Sequence, residues 1–118
     1  MQKFIETKQY DKALVNLNQA IAQNPGNKLF TYIKGYILHT SMDSLELARQ
    51  SYAKSIEADS AYLEPLYMMG LSFIDEANQI SKEMNALPLN AQSKYKKLKS
   101  EQEEAFKKAR PFLKKHMR

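Results

Sequence analysis

The side chains in this chain best suited to acid–base or metal chemistry are two histidines, His39 and His116, and the carboxylates Asp75, Glu76 and Glu83. A proton-transfer centre needs a base held within hydrogen-bond reach of the proton it moves. A helical zinc site needs paired ligands on one face, as in His-x-x-x-His. The two histidines fall in different segments, with no matching carboxylate pair and no such spacing. Three carboxylates on a helix without a histidine read as solvated. Cysteine is absent, which removes thiolate nucleophiles, disulfides and Cys-based zinc sites. No glycine-rich phosphate loop is present, because Gly35 and Gly70 fall inside helical patterns. The expectation is a chain that is not an enzyme, with no catalytic residue, no metal and no cofactor.

The elements that carry these residues follow from composition and periodicity. The chain has 118 residues, 43% hydrophobic and 26% charged, enough for one domain with a core. Glycine and proline are few, and Ala, Leu, Lys, Glu and Gln dominate, so the chain is expected to be all-α. No apolar run approaches the ~18 residues of a membrane span. The start, Met1-Gln2-Lys3-Phe4-Ile5-Glu6, lacks the apolar stretch of a secretory signal, and a cysteine-free chain is compatible with cytoplasm and periplasm alike.

Residues 1–7 read as the tail of a helix, with Phe4 and Ile5 as its apolar remnant and a turn at Lys8-Gln9. From Tyr10 to Asn24, apolar residues recur at i, i+3, i+4 and i+7, an amphipathic helix stopped by Asn24-Pro25-Gly26-Asn27. A second helix spans 28–40, and Ser41-Met42-Asp43-Ser44 breaks it. Ser44 is the expected N-cap of a helix reaching Ala58. Asp59-Ser60 makes the next turn, and Pro65 falls in a first helical turn, where its missing N–H costs little. That helix continues to Met84, a loop covers 85–90, and a last helix covers 91–116. Pro111 lies inside it and should kink it. One domain of six helices results.

One pattern occurs twice. Ala13, Leu17, Ala20 and Ile21 recur 35 residues later as Ala48, Tyr52, Ser55 and Ile56, and Gly35 recurs as Gly70. A period of this length predicts helix-turn-helix units that stack side by side. These residues resemble the tetratricopeptide repeat family, in its bacterial type. Tyr10, Ala13, Leu17, Ala20 and Pro25 match the second helix of one repeat. Gly35, Leu38, Ala48 and Tyr52 match the next, with Ser55 and Ser60 in place of the usual Ala and Pro. Gly70 and Phe73 open a third, whose second helix resumes after an insertion at Ala109, Leu113 and His116. The resemblance implies an α-solenoid of one partial repeat (1–27), a second repeat (28–61) and an extended third (62–118) that closes in a long, kinked helical hairpin. The turn near Ser41–Ser44 is one residue longer than the family's. Met1 falls within the first repeat's first helix, as in an excised fragment.

The resemblance also implies a site. Family members usually bind along a concave face lined by the first helix of each pair, here Tyr32, Tyr36, His39, Tyr67 and Leu71. Tyrosine suits such a contact, with an apolar body and a polar tip. The expected function is non-catalytic capture of a protein or peptide, as an extended segment or a partner helix. The competing reading is that the same tyrosines pack between helices and bind nothing. Glu64 would repel a carboxylate, which argues against the acidic-tail clamp of the co-chaperone members.

The formal charge of +5 offers an alternative. Residues 94–118 hold ten basic and three acidic groups, whereas 1–93 hold eight and ten. Lys107, Lys108, Lys114 and Lys115 could therefore hold an anionic surface, nucleic acid or membrane. Arginine is scarce and no aromatics stand among these lysines, which disfavours nucleic acid. A solvated helix face accounts for the same pattern. The partner's identity and the oligomeric state stay open.

Overall fold

The computed structural model describes residues 2–116, with side chains described from Gln9 to Lys114. The chain is all-α: α1 (Gln2–Gln23), α2 (Lys28–Thr40), α3 (Leu45–Ala58), α4 (Leu63–Ala86) and α5 (Gln92–His116), with no strand among the described residues. Five rods stand where six were expected. The turn placed at Lys8-Gln9 does not occur, and α1 passes through it unbroken. Lysine and glutamine are good helix formers, and no glycine or proline precedes Pro25, so nothing in the local chemistry breaks the rod. The side chains of Phe4, Ile5, Lys115 and His116 lie outside the described residues.

Each helix end has a local cause. After Pro25-Gly26, the Asn27 side chain accepts from the backbone N–H groups of Leu29 (2.9 Å) and Phe30 (3.2 Å) and caps α2. Ser44 holds the N-cap position of α3, but its hydroxyl donates to the Met42 carbonyl and makes no cap bond. The turn before it is closed by Asp43, at φ 54°, a left-handed geometry that aspartate tolerates better than most residues. Before α4, the Asp59 carboxylate accepts from the Ala61 N–H at 3.0 Å, an Asx-turn. Pro65 lies in the first turn of α4, as expected. Helix α5 continues through Pro111 to His116, although proline cannot donate to the Lys107 carbonyl.

Packing follows chain order. Helix α1 rests on α2, α2 on α3, α3 on α4 and α4 on α5; among the described residues only α2 and α4 meet across a skipped element. The result is a slab of 54 × 41 × 20 Å with a radius of gyration of 16.7 Å. A compact globule of this length would have about 13.5 Å. The core is a cluster of Leu38, Ala48, Tyr52, Met68 and Met69 contributed by α2, α3 and α4. Tyr52 and Ala48 are wholly buried because Gly35 lets α2 close on them; a Cβ there would sit 2.6 Å from the Tyr52 ring and 3.1 Å from the Ala48 carbonyl. Gly70 of α4 meets α5 the same way, with Leu113 at 2.7 Å and the Ala109 carbonyl at 3.4 Å.

Polar tethers fix the remaining contacts. Arg49 of α3 donates to the Ser72 hydroxyl (2.9 Å) and carbonyl (3.1 Å), pairs with Glu76 at 3.1 Å, and lies 4.0 Å from the Phe73 ring centroid. Phe73 in turn stacks on Phe112, tying α4 to α5. A hydrogen bond from Gln102 to Ser81 adds a second link between those helices.

Candidate functional site

Two tethers align the first helices of the implied repeats. Near their N-terminal ends, Tyr32 of α2 meets Tyr62, just before α4, with ring centroids 5.5 Å apart. Further along, His39 Nε2 lies 2.6 Å from the Asp75 carboxylate. The order of contacts is the same on both helices, so α2 and α4 run parallel. Tyr36 falls between the tethers on α2. Tyr67 and Leu71 fall between Glu64 and Asp75 on α4, at the three- and four-residue spacings that keep side chains on one helix face.

The exposure of these residues divides them. Tyr36 is 47% exposed and Tyr67 38%, both large for aromatic side chains, while Tyr32 and Leu71 are half-buried. Tyr32 is the hub, with Tyr36 at 6.3 Å and Tyr52 at 6.1 Å between centroids. Burial, with the negative charge of Glu64 close by, pushes the Tyr32 hydroxyl above its ordinary pKa. The Tyr62 hydroxyl is raised for the same reasons, with Lys28 pulling the other way. Lys28 lies 4.9 Å from the Tyr62 centroid and 2.5 Å from the Asp59 carboxylate. That bond raises the Lys28 pKa and lowers that of Asp59. Leu29, 48% exposed, extends the apolar strip along α2.

His39 departs from its expected place among the contact residues. Its side chain is only 5% exposed, with Nδ1 3.1 Å from the Tyr52 hydroxyl and Nε2 on Asp75. A neutral ring protonated on Nε2 satisfies both partners, accepting from Tyr52 and donating to Asp75. The ring is enclosed because Tyr52 rises from α3 beneath it, and burial drives the Tyr52 hydroxyl strongly upward in pKa. His39 therefore clamps three helices together instead of facing a ligand. Its carboxylate partner was missed at the sequence level, although residues about one repeat apart are neighbours on adjacent parallel helices, and Asp75 lies 36 residues on.

Two of the other acid–base candidates are engaged as well, while Glu83 is exposed and the His116 side chain lies outside the described residues. Asp75 faces His39 and Glu76 faces Arg49. No group of three His, Cys, Asp or Glu side chains is placed to hold a metal among the described residues. Both ring nitrogens of His39 are engaged, Nδ1 by Tyr52 and Nε2 by Asp75.

Lys107, Lys108 and Lys114 are exposed on α5, and the Lys115 side chain lies outside the described residues. Glu103 and Glu104 share a surface depression with Lys107, and Glu104 a second one with Lys108, so the positive charge there is interleaved with negative. Among the described residues, no helix is long and apolar enough to cross a membrane. No protein-family model matches this sequence, and comparison with curated proteins and with solved structures found no match.

Proposed function

We propose that this chain is a tetratricopeptide-like stack that binds a protein partner without catalysis, using the strip formed by Tyr32, Tyr36, Tyr67 and Leu71. The observation that carries the reading is the parallel alignment of α2 and α4 with two half-exposed tyrosines, Tyr36 and Tyr67, on the flanks between the tethers. Large aromatic side chains left in water on a rigid platform are the usual anchors of protein interfaces.

The repeat assignment has two supports. The glycine contact at Gly35, with Ala48 and Tyr52 four residues apart, recurs at Gly70 with Ala109 and Leu113, also four apart. Helices also meet mainly their chain neighbours, as stacked units do. The partner's chemistry follows from the rim. Glu64 and the half-exposed Asp75 flank the tyrosines, while Lys28 is neutralised by Asp59. A segment with apolar anchors and neutral or basic flanks fits; an acidic tail does not.

The test is selection of short peptides from a random library on the folded chain. Apolar, non-acidic winners that lose binding on Tyr36→Ala with Tyr67→Ala, at unchanged helicity, are the expected result. Winners indifferent to both changes would remove this site.

A further inference from the structure

The hairpin joining α4 and α5 ends in a tip that the groove reading does not use. Leu89, at the apex, is 100% exposed, and Tyr95, in the first turn of α5, is 45% exposed. Pro88 is exposed and Leu87 half-buried beside them, around an open depression of about 600 Å³ that Met84 closes from below. Cations stand immediately behind this apolar tip. Between Glu83 and Glu101 the chain carries Lys94, Lys96, Lys97 and Lys99 and no acidic residue, and all four lysines are exposed. Lys94 and Lys97 share a side depression with Glu83 and Glu101, whereas Lys96 and Lys99 line the tip depression itself, in which no acidic residue takes part.

The tip also stands clear of the rest of the molecule. Among the described residues, helix α5 touches only α4. Leu87 lies roughly 24 Å along the α4 axis from Leu71, at about 1.5 Å per residue. A leucine this exposed needs no matching pocket to be buried at a bilayer interface. A groove-bound peptide covers one side, whereas a bilayer interface envelops a projecting apolar residue. Lysines set within two helical turns of that residue would then lie at headgroup depth, where phosphate and carboxylate charges attract them.

We propose that the Leu87–Tyr95 tip docks reversibly on an anionic lipid surface, with Leu89 and Tyr95 entering the interface and Lys94, Lys96, Lys97 and Lys99 holding the headgroups. Attachment is weak and salt-sensitive, since four lysines near such a surface contribute only about fivefold each in partition, and their fields are screened within about 10 Å at ordinary salt. It would leave the α2–α4 strip free to receive its own partner.

Flotation of the full chain with phosphatidylcholine vesicles, with and without phosphatidylserine, tests this. Co-flotation is expected only with phosphatidylserine, declining as salt rises. Leu89→Ser should lower partition about tenfold through lost apolar burial. Lys96→Glu with Lys99→Glu should lower it at least a hundredfold, as two attractions become repulsions. Lys107→Glu with Lys108→Glu should change it little. All these sites are exposed, so helicity should be unaffected. Three results would each overturn the proposal: no flotation with phosphatidylserine, flotation indifferent to Leu89, or capture of an acidic peptide at the tip without any flotation.

Discussion

Replacing Gly35 with alanine pits two effects of known size against each other. In a helix interior alanine is favoured over glycine by about 1 kcal/mol. Against that stands the Tyr52 ring, 2.6 Å from the added Cβ, and the Ala48 carbonyl at 3.1 Å. The ring has no room to yield: it is fully buried, its hydroxyl is bonded to His39, and Tyr32 lies against it. Overpacking a filled core costs about 1–3 kcal/mol, and an immobile ring belongs at the upper end. The net loss is therefore about 2 kcal/mol, equivalent to a fall of roughly 10 °C in Tm for a domain of this size. Gly70→Ala is the internal comparison. There the obstructing atoms belong to Leu113, at 2.7 and 2.8 Å, a half-buried side chain that can swing aside. Its cost should be about 1 kcal/mol, cancelled by the gain in propensity. Urea denaturation followed by circular dichroism measures both. Combining Gly35→Ala with Tyr52→Leu should make the glycine change neutral or stabilising. Equal losses at Gly35 and Gly70, or a Gly35 loss that Tyr52→Leu leaves untouched, would refute the ring-clash reasoning.

The His39 clamp predicts an asymmetry. His39→Phe strands the buried Tyr52 hydroxyl and should cost about 1–3 kcal/mol. Asp75→Asn keeps a hydrogen-bond acceptor at a half-exposed position and should cost under about 1 kcal/mol; thermal melts of the two variants would show comparable losses if the clamp does not exist. The Lys28–Asp59 pair predicts an acid limb. Asp59 has a lowered pKa in the folded chain, so its contribution is present above the ordinary aspartate value, about 4, and is lost as pH falls below it. Lys28, raised, keeps its contribution until strongly alkaline pH. Asp59→Asn should flatten the acid limb of a plot of urea midpoint against pH, and added salt should shrink the difference between the two proteins; an unchanged limb would show that the ion pair does not couple to folding.

The helix ends from Asn24 onward were legible because the breakers are local: Asn-Pro-Gly, Asp-Ser and the proline in the first turn of α4 act within a few residues. The 35-residue period was equally informative, since it places Gly35 with Ala48 and Tyr52 before any coordinate is seen. The turn at Lys8-Gln9 failed for the opposite reason. No residue there opposes a helix. Ser44 was placed correctly but does not cap, because the left-handed Asp43 directs the chain so that its hydroxyl meets the Met42 carbonyl. His39 could not be read as enclosed: whether a residue on a first helix faces solvent or a neighbour depends on which large side chain rises from the next helix, and here that is Tyr52. The apolar tip at Leu89 was unreadable for a related reason, since a loop leucine carries no periodicity to say what covers it.

The order of helix contacts has a kinetic consequence. When a rod meets mainly the rods before and after it in the chain, most docking events close a short stretch of polymer, and the entropy lost in doing so is small. Proteins assembled from such local pairings reach their folded form quickly and expose no unpaired strand on the way. The same arrangement lets an outermost rod lift away while the centre holds, so opening proceeds in steps from the flanks inward. Helix α1, which among the described residues leans on α2 alone, would be the first to part, and the bond between His39, Tyr52 and Asp75 at the centre the last.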